Sequence, residues 1–220
     1  MRLATLAWTD LPAPSGPLLL VPLGATEQHG PHLPMNTDSV IAEALTGSIA
    51  DGRTDRIAGP TLHYGSSGEH AAFPGTLSLG QAALELAVVE LVRSADYFRG
   101  VAIVCWHGGN AEALSRATQL LHGEGRRIQV WRGHQVGGDL HAGRTETSLM
   151  LHLAPELVGK ERPAGATEPL VAIKDALMSG GVRHVSPNGV LGDAAGASAD
   201  EGRQIFAKLV DDLEQFLTQP

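Results

Sequence analysis

The chain has 220 residues, a formal net charge of −8 and 43% hydrophobic residues, with aromatics at only 4%. That length suits one compact α/β domain or at most two small ones, and the core must be mainly Ala, Val, Leu and Ile. The negative balance without any Lys/Arg block argues against a nucleic-acid or anionic-membrane surface, and the single cysteine, Cys105, excludes an internal disulfide and a Cys-rich zinc site.

The opening "MRLATLAWTDLPAPSG" lacks the apolar core of a secretory signal, and no run reaches the roughly 18 apolar residues of a membrane span. A reducing cytoplasm is the expected compartment. "GPLLLVPLG" then reads as a buried strand, followed by the broken segment "GATEQHGPHLPMNTD". "DSVIAEALTGSIA" is helical, with Asp38 or Ser39 near its cap. "RIAGPTLHYG" reads as a second strand and "SSGEHAAFPGT" as a loop. "LSLGQAALELAVVELVRSADYFRG" carries apolar residues at helical spacing and is expected to be the longest helix.

"VAIVCW", entirely apolar, is a strand covered on both faces. "HGGN" breaks it, "AEALSRATQLLHGEG" is a helix, and "IQVWRG" a fourth strand. The loop "GGDLHAGRTE" enters the helix "TSLMLHLAPELV", with Thr145 or Glu146 at its start. "GGVRHVSPNGVLGDAAGAS" reads as irregular, and "ADEGRQIFAKLVDDLEQFLTQ" closes the chain as an amphipathic helix. Alternating strands and helices imply α/β architecture, with a mostly parallel sheet and helices on both faces.

Three polar clusters follow predicted strands: Glu27–His29, Glu69–His70 and His107–Asn110. Ligands of open α/β sheets bind beyond the carboxyl ends of the strands, so these clusters should gather at one rim. Glu27 and His29, two residues apart, share one side of an extended segment. Imidazole and carboxylate suit zinc, manganese or iron, and Asp38 offers a carboxylate able to bridge two ions. Against that stands a solvated loop with capping residues.

His107 alone reads equally as a strand-end histidine bonded to backbone, with Asn110 capping the next helix. Glu146 alone reads as a first-turn carboxylate favoured by the helix dipole, and His141 as a loop histidine. Competing nucleophiles are weak. "YGSSGEH" is no G-x-S-x-G elbow, Cys105 lies in an apolar strand, and neither a phosphate loop nor a dinucleotide fingerprint is present.

Together "GATEQHGPHLPMNTD", "YGSSGEHAAFPGTLSLG", "WHGGNAEAL", "HAGRTETSLML" and "SPNGVLGDAAGAS" resemble, in consistent order, the creatininase family of metal-dependent amidohydrolases. The likeness runs from about Val21 to the last helix, which implies one creatininase-like domain over residues 1–220 in three α/β/α layers. It is greatest to the subgroup of the family that matures mycofactocin. That subgroup hydrolyses the peptide bond before a modified C-terminal Val-Tyr in a ribosomal precursor peptide.

The resemblance implies Glu27, His29, Asp38 and His107 as metal ligands for two divalent ions (Zn, Fe(II) or Mn), with Asp38 bridging. It implies His141 as the catalytic histidine that protonates the leaving amine, and a homo-oligomer. Ser67, Glu69 and His70 are expected to meet the substrate, a modified precursor peptide. Creatininase has a glutamate two residues after the histidine matching His107; here that position is Gly109, and Glu146 is the candidate replacement as ligand or catalytic carboxylate. The same departure argues against creatinine as substrate and leaves a small cyclic amide or formamide as the alternative. A metal-stabilised binding subunit without turnover is the non-enzymatic rival. "CWHGG" departs from the more usual "NGHGG" at Cys105 and Trp106, with no account from sequence.

Overall fold

A computed structural model describes residues 1–14, 16–133 and 138–218. Its sheet consists of β1 (Leu18–Leu23), β2 (Arg56–Ala58), β3 (Val101–Cys105) and β4 (Ile128–Arg132), in the order β2-β1-β3-β4 and parallel throughout. β1 and β3 lie at the centre and are buried along their whole length. This is why both read as unbroken apolar runs rather than alternating ones.

Helices cover both faces. On one, α1 (Thr37–Ala50), α4 (Arg144–Leu153) and α7 (Ala199–Thr218) place Ile41, Leu45, Leu149 and Leu209 over Leu20 and Val104. On the other, α2 (Gly80–Arg93) and α3 (Ala111–Gly123) pack Leu84, Val88, Leu114 and Leu121 against Val21 and Ile103. Ile103 has no exposed surface, so its replacement by Ala would cost about 2–5 kcal/mol. The result is the expected three-layer α/β/α arrangement.

Several elements differ from the sequence reading. β2 is only three residues long, because Gly59 still donates to Leu20 but Pro60 has no N–H to give; pairing resumes at a single residue, Leu62 against Leu23. α2 begins at Gly80 rather than Leu77. Its would-be first turn is drawn off the helix by Leu77 N–H to Thr26 and Leu79 N–H to Gly65. The longest helix is therefore α7, at 20 residues, against 14 for α2.

α5 (Leu170–Gly180) has no counterpart in the sequence reading, and the stretch read as irregular contains the short α6 (Val182–Val185). Both lie beside the 3-10 turn Gly68–His70, close to the carboxyl rim. Gly137, at the start of the predicted loop, and Gln219, at the end of the last predicted helix, lie outside the described residues. Among the described residues no helix is long and apolar enough to cross a membrane.

Candidate metal centre

The segments leaving the carboxyl ends of the four strands meet over the sheet. Glu27 and His29 follow β1, Glu69 and His70 follow β2, His107 follows β3, and His141 and Glu146 follow β4, while Asp38 comes from the first turn of α1. Two sets of donor atoms share Asp38: Glu27, Asp38 and His107 form one, and His29, Asp38 and Glu146 the other. His29 Nε2 lies 3.2 Å from Asp38 Oδ1 and 3.9 Å from Glu146 Oε2. His107 Nδ1 lies 3.4 Å from Asp38 Oδ2, and its Nε2 3.3 Å from Glu27 Oε2. A third set joins Glu27, His29 and His141.

Hydrogen bonds fix which nitrogen each imidazole presents. His29 Nδ1–H donates to the Glu27 carbonyl at 3.1 Å, leaving the Nε2 lone pair towards Asp38. His107 Nε2–H donates to the Ser66 carbonyl at 2.9 Å, leaving Nδ1 towards Asp38. His141 Nε2–H donates to the Gln28 carbonyl at 2.8 Å, so its Nδ1 lone pair faces Glu27 Oε1, 3.8 Å away. Metal-binding imidazoles are held in this manner by a partner on the opposite ring nitrogen.

His70 is set the other way. Gln28 Nε2 donates to His70 Nδ1 at 2.9 Å and to the Gly189 carbonyl at 3.0 Å, while Gln28 Oε1 accepts from Gly30 N–H. His70 Nε2 lies 3.3 Å from Glu27 Oε1 but makes no hydrogen bond to it. Gln28 thus orders both His70 and His141, a role the sequence reading missed although it lies between two singled-out residues.

Electrostatics distinguish the groups sharply. Burial pushes the Glu27 carboxyl up, but His107, His70 and His141 outweigh it and hold Glu27 below the usual range. Burial opposes charge on His29 too, yet Asp38 raises it to about 9; His107 is likewise raised, by Glu27 and Asp38. Burial raises Asp38 and Glu69. His141, buried and facing His29, is depressed to about 4, and burial takes His70 to about 2.

The donor set fits a cation. Among the described residues, Glu27 Oε1 and Oε2 and Asp38 Oδ2 are buried without a hydrogen-bond partner. A buried carboxylate in that state is costly unless a positive charge meets it. His29 Nε2 and His107 Nδ1 lie against the two different oxygens of Asp38, Oδ1 and Oδ2, as ligands of two ions sharing that carboxylate would.

The absent side chain at Gly109 also has a structural reason. A Cβ there would come 2.4 Å from both His107 Nε2 and the Ser66 carbonyl, and 2.3 Å from Glu69 Oε1. Glu146 reaches the His29 side of the centre from the first turn of α4, which begins at Arg144. Its Oε2 accepts from Ala142 N–H at 2.6 Å, and its Oε1 from Trp106 Nε1–H at 2.8 Å. Ala142, fully buried, adopts a φ of 54°, rare for a residue with a Cβ. Such strain clusters at functional sites.

The remaining expected residues divide. Glu69 keeps 33% of its side chain exposed and forms the open side of the centre. Ser67 is wholly buried, its Oγ 3.4 Å from His107 Nε2. Asn110 does not cap α3; its side chain accepts from Ser66 N–H and donates to the Gly24 carbonyl, tying the loops after β1 and β2 to that after β3. His32 lies outside the centre, with Nε2 2.8 Å from Thr147 Oγ1. Cys105 is buried, its thiol raised by burial and donating to the His107 carbonyl. Trp131 is also buried and donates to Asp212.

Comparison with known proteins points the same way. A family model described as "Creatininase: Creatinine amidohydrolase" matches residues 4–217. The chain is 45% identical to the mycofactocin precursor peptide peptidase of Mycobacterium ulcerans, over 96% of this chain and 88% of that one. With the protein of the same name from Mycolicibacterium smegmatis it shares 46% identity, over 89% and 82%. The solved structure "Creatininase Mn" superposes with a TM-score of 0.77 at 25% identity, covering 98% of both chains. The chain belongs to the creatininase family.

Proposed function

We propose that the protein is a metal-dependent peptidase that cleaves a modified ribosomal precursor peptide before its C-terminal Val-Tyr and releases that dipeptide, with residues 1–220 acting as one domain. The substrate class rests on the relatives named for mycofactocin precursor peptide cleavage. The observation that carries the chemistry is Asp38 flanked by two donor sets, with the Glu27 oxygens buried and unpaired.

In this reading Glu27, Asp38 and His107 hold one divalent ion, and His29, Asp38 and Glu146 a second. Zinc, iron(II) and manganese all suit those ligands. Such ions acidify a bound water and polarise the scissile carbonyl at neutral pH. The protein's own groups order the rest. His141, neutral at pH 7 with Nδ1 towards Glu27, accepts a proton from the attacking water and returns it to the leaving amine nitrogen. The water oxygen bonds to the carbonyl carbon, and the C–N bond breaks as that nitrogen is protonated. Glu69 meets the peptide from the open side. His70 packs beside Glu27, held in place by Gln28.

The test is mass spectrometry of the modified precursor peptide after incubation with metal-loaded and with chelated protein. Metal-dependent release of the dipeptide is expected. Intact peptide alongside turnover of a small cyclic amide would overturn the substrate. Full turnover after the metal has been stripped would overturn the mechanism.

A further inference from the structure

Trp106 is the feature of "CWHGG" that the sequence leaves without a role. It stands directly after β3, next to His107, and is 3% exposed within the main core. A buried indole N–H needs an acceptor. Its acceptor is Glu146 Oε1, at 2.8 Å and 40 residues away in sequence. The other oxygen, Oε2, receives the Ala142 N–H and lies 3.9 Å from His29 Nε2.

Glu146 therefore has one oxygen tied to the strand end that carries His107 and the other aimed at the His29–Asp38 pair. An ordinary first-turn glutamate has no need of this arrangement. The N–H groups at the start of α4 are met by Asp139, which accepts from both Arg144 and Thr145. The indole itself is admitted by Gly133, where a Cβ would lie 2.7 Å from Trp106 and 2.3 Å from Trp131. The carboxylate of Glu146 and the donor of Trp106 thus form one coupled pair.

We propose that Trp106 is a positioning residue: its indole N–H orients Glu146 as the carboxylate that joins His29 and Asp38 in holding an ion. This rests on the metal-centre reading above. Partners that orient a ligand are typically worth about 10–100-fold in metal affinity. Losing the N–H should release Oε1 and leave the carboxylate held only through Ala142, free to turn about that bond and loosen its approach to His29, while Glu27, Asp38 and His107 are untouched.

The experiment is a Zn²⁺ titration of the stripped full-length protein, with ion content measured after gel filtration. Four forms are compared: the natural protein, Trp106→Phe, Glu146→Gln and the double variant. The natural protein should bind two ions. Trp106→Phe should hold one and bind the other about 10–100-fold more weakly. Because the two residues act through one interaction, the double variant should be no weaker than Glu146→Gln alone.

Should Trp106→Phe not fold, the benzothienyl isostere of tryptophan at position 106 replaces only N–H by sulfur and should give the same loss. Unchanged affinity for both ions in a folded Trp106 variant overturns the proposal, as do losses that multiply in the double variant. If Glu146→Gln itself binds both ions normally, the ligand role of Glu146 fails, and the positioning role with it. Weakening by Glu146→Gln with no effect at Trp106 overturns the positioning role alone.

Discussion

The two rims of the sheet treat charge in opposite ways. At the amino rim Arg53 meets Asp55 at 2.9 Å, Arg126 meets Asp96, and Arg93 meets Glu124, with the partners reaching water. At the carboxyl rim Glu27, Asp38, His29 and His107 are buried, and the Glu27 oxygens have no hydrogen-bond partner. Water screens the first set, so it is worth little and costs little. The second set is expensive unless something else neutralises it. The difference separates charge that solubilises a surface from charge that is held for a cation.

The strongest way to break this comparison is Asp38→Ala. It removes the one carboxylate common to both donor sets. Metal content and peptide cleavage should fall together below detection, measured by elemental analysis and mass spectrometry. A variant that keeps both ions would show that Asp38 bridges nothing. Next comes His141→Ala, which removes a proton carrier and leaves the two Asp38 sets intact. The expected loss is about 10²–10⁴-fold in rate with normal metal content. The defect should shrink for substrates with better leaving groups. Loss of metal instead would make His141 a ligand of Glu27's ion.

The pH dependence sharpens the contrast. Asp38 raises His29 from 6.5 to about 9, and Glu27 and Asp38 raise His107. In the metal-free protein the stabilisation from a protonated His29 is complete below pH 6.5 and disappears as pH rises through about 9. Metal needs the same nitrogen deprotonated. Affinity should climb with pH by about tenfold per unit for each displaced proton and flatten near 9. Competition with a chelator across that range measures the slope; a flat profile would mean that His29 stays neutral and meets no ion.

Much of this was legible in the sequence because buried parallel strands are written as continuous apolar runs. β1 and β3 follow theirs closely, and their ends locate the rim. The site residues were legible as short strings beside those ends. α5 was not, because it packs lightly: Ile173 is buried while Val171 and Met178 are 87% and 80% exposed, so no clear apolar stripe marks it. The three-residue β2 was obscured because its apolar string runs past Pro60. The order of the imidazoles was hidden for a different reason. Gln28 bonds to His70, to Gly189 and, through its carbonyl, to His141, and contacts across so many residues have no local signature. Glu146 was visible as a first-turn carboxylate near the rim, but its bond to Trp106, 40 residues away, was not.

The smallest expected effect comes from the amino rim. Arg126 pairs with Asp96 and also donates to the Arg93 carbonyl, with 27% of its side chain exposed and 78% of Asp96. Arg126→Ala removes two screened pairs, to Asp96 and to Glu124, and one backbone contact at the end of the sheet remote from the metal centre. Exposed pairs of this kind contribute little, so the melting temperature should fall by about 2 °C or less. Metal content and cleavage rate should stay at their natural values. Differential scanning calorimetry together with the cleavage assay checks both. A large fall in melting temperature would show that this rim, too, depends on its charges for folding. A loss of metal would show that the two ends of the sheet are coupled, because β3 and β4 would then carry a disturbance from Arg126 to His107 and Glu146.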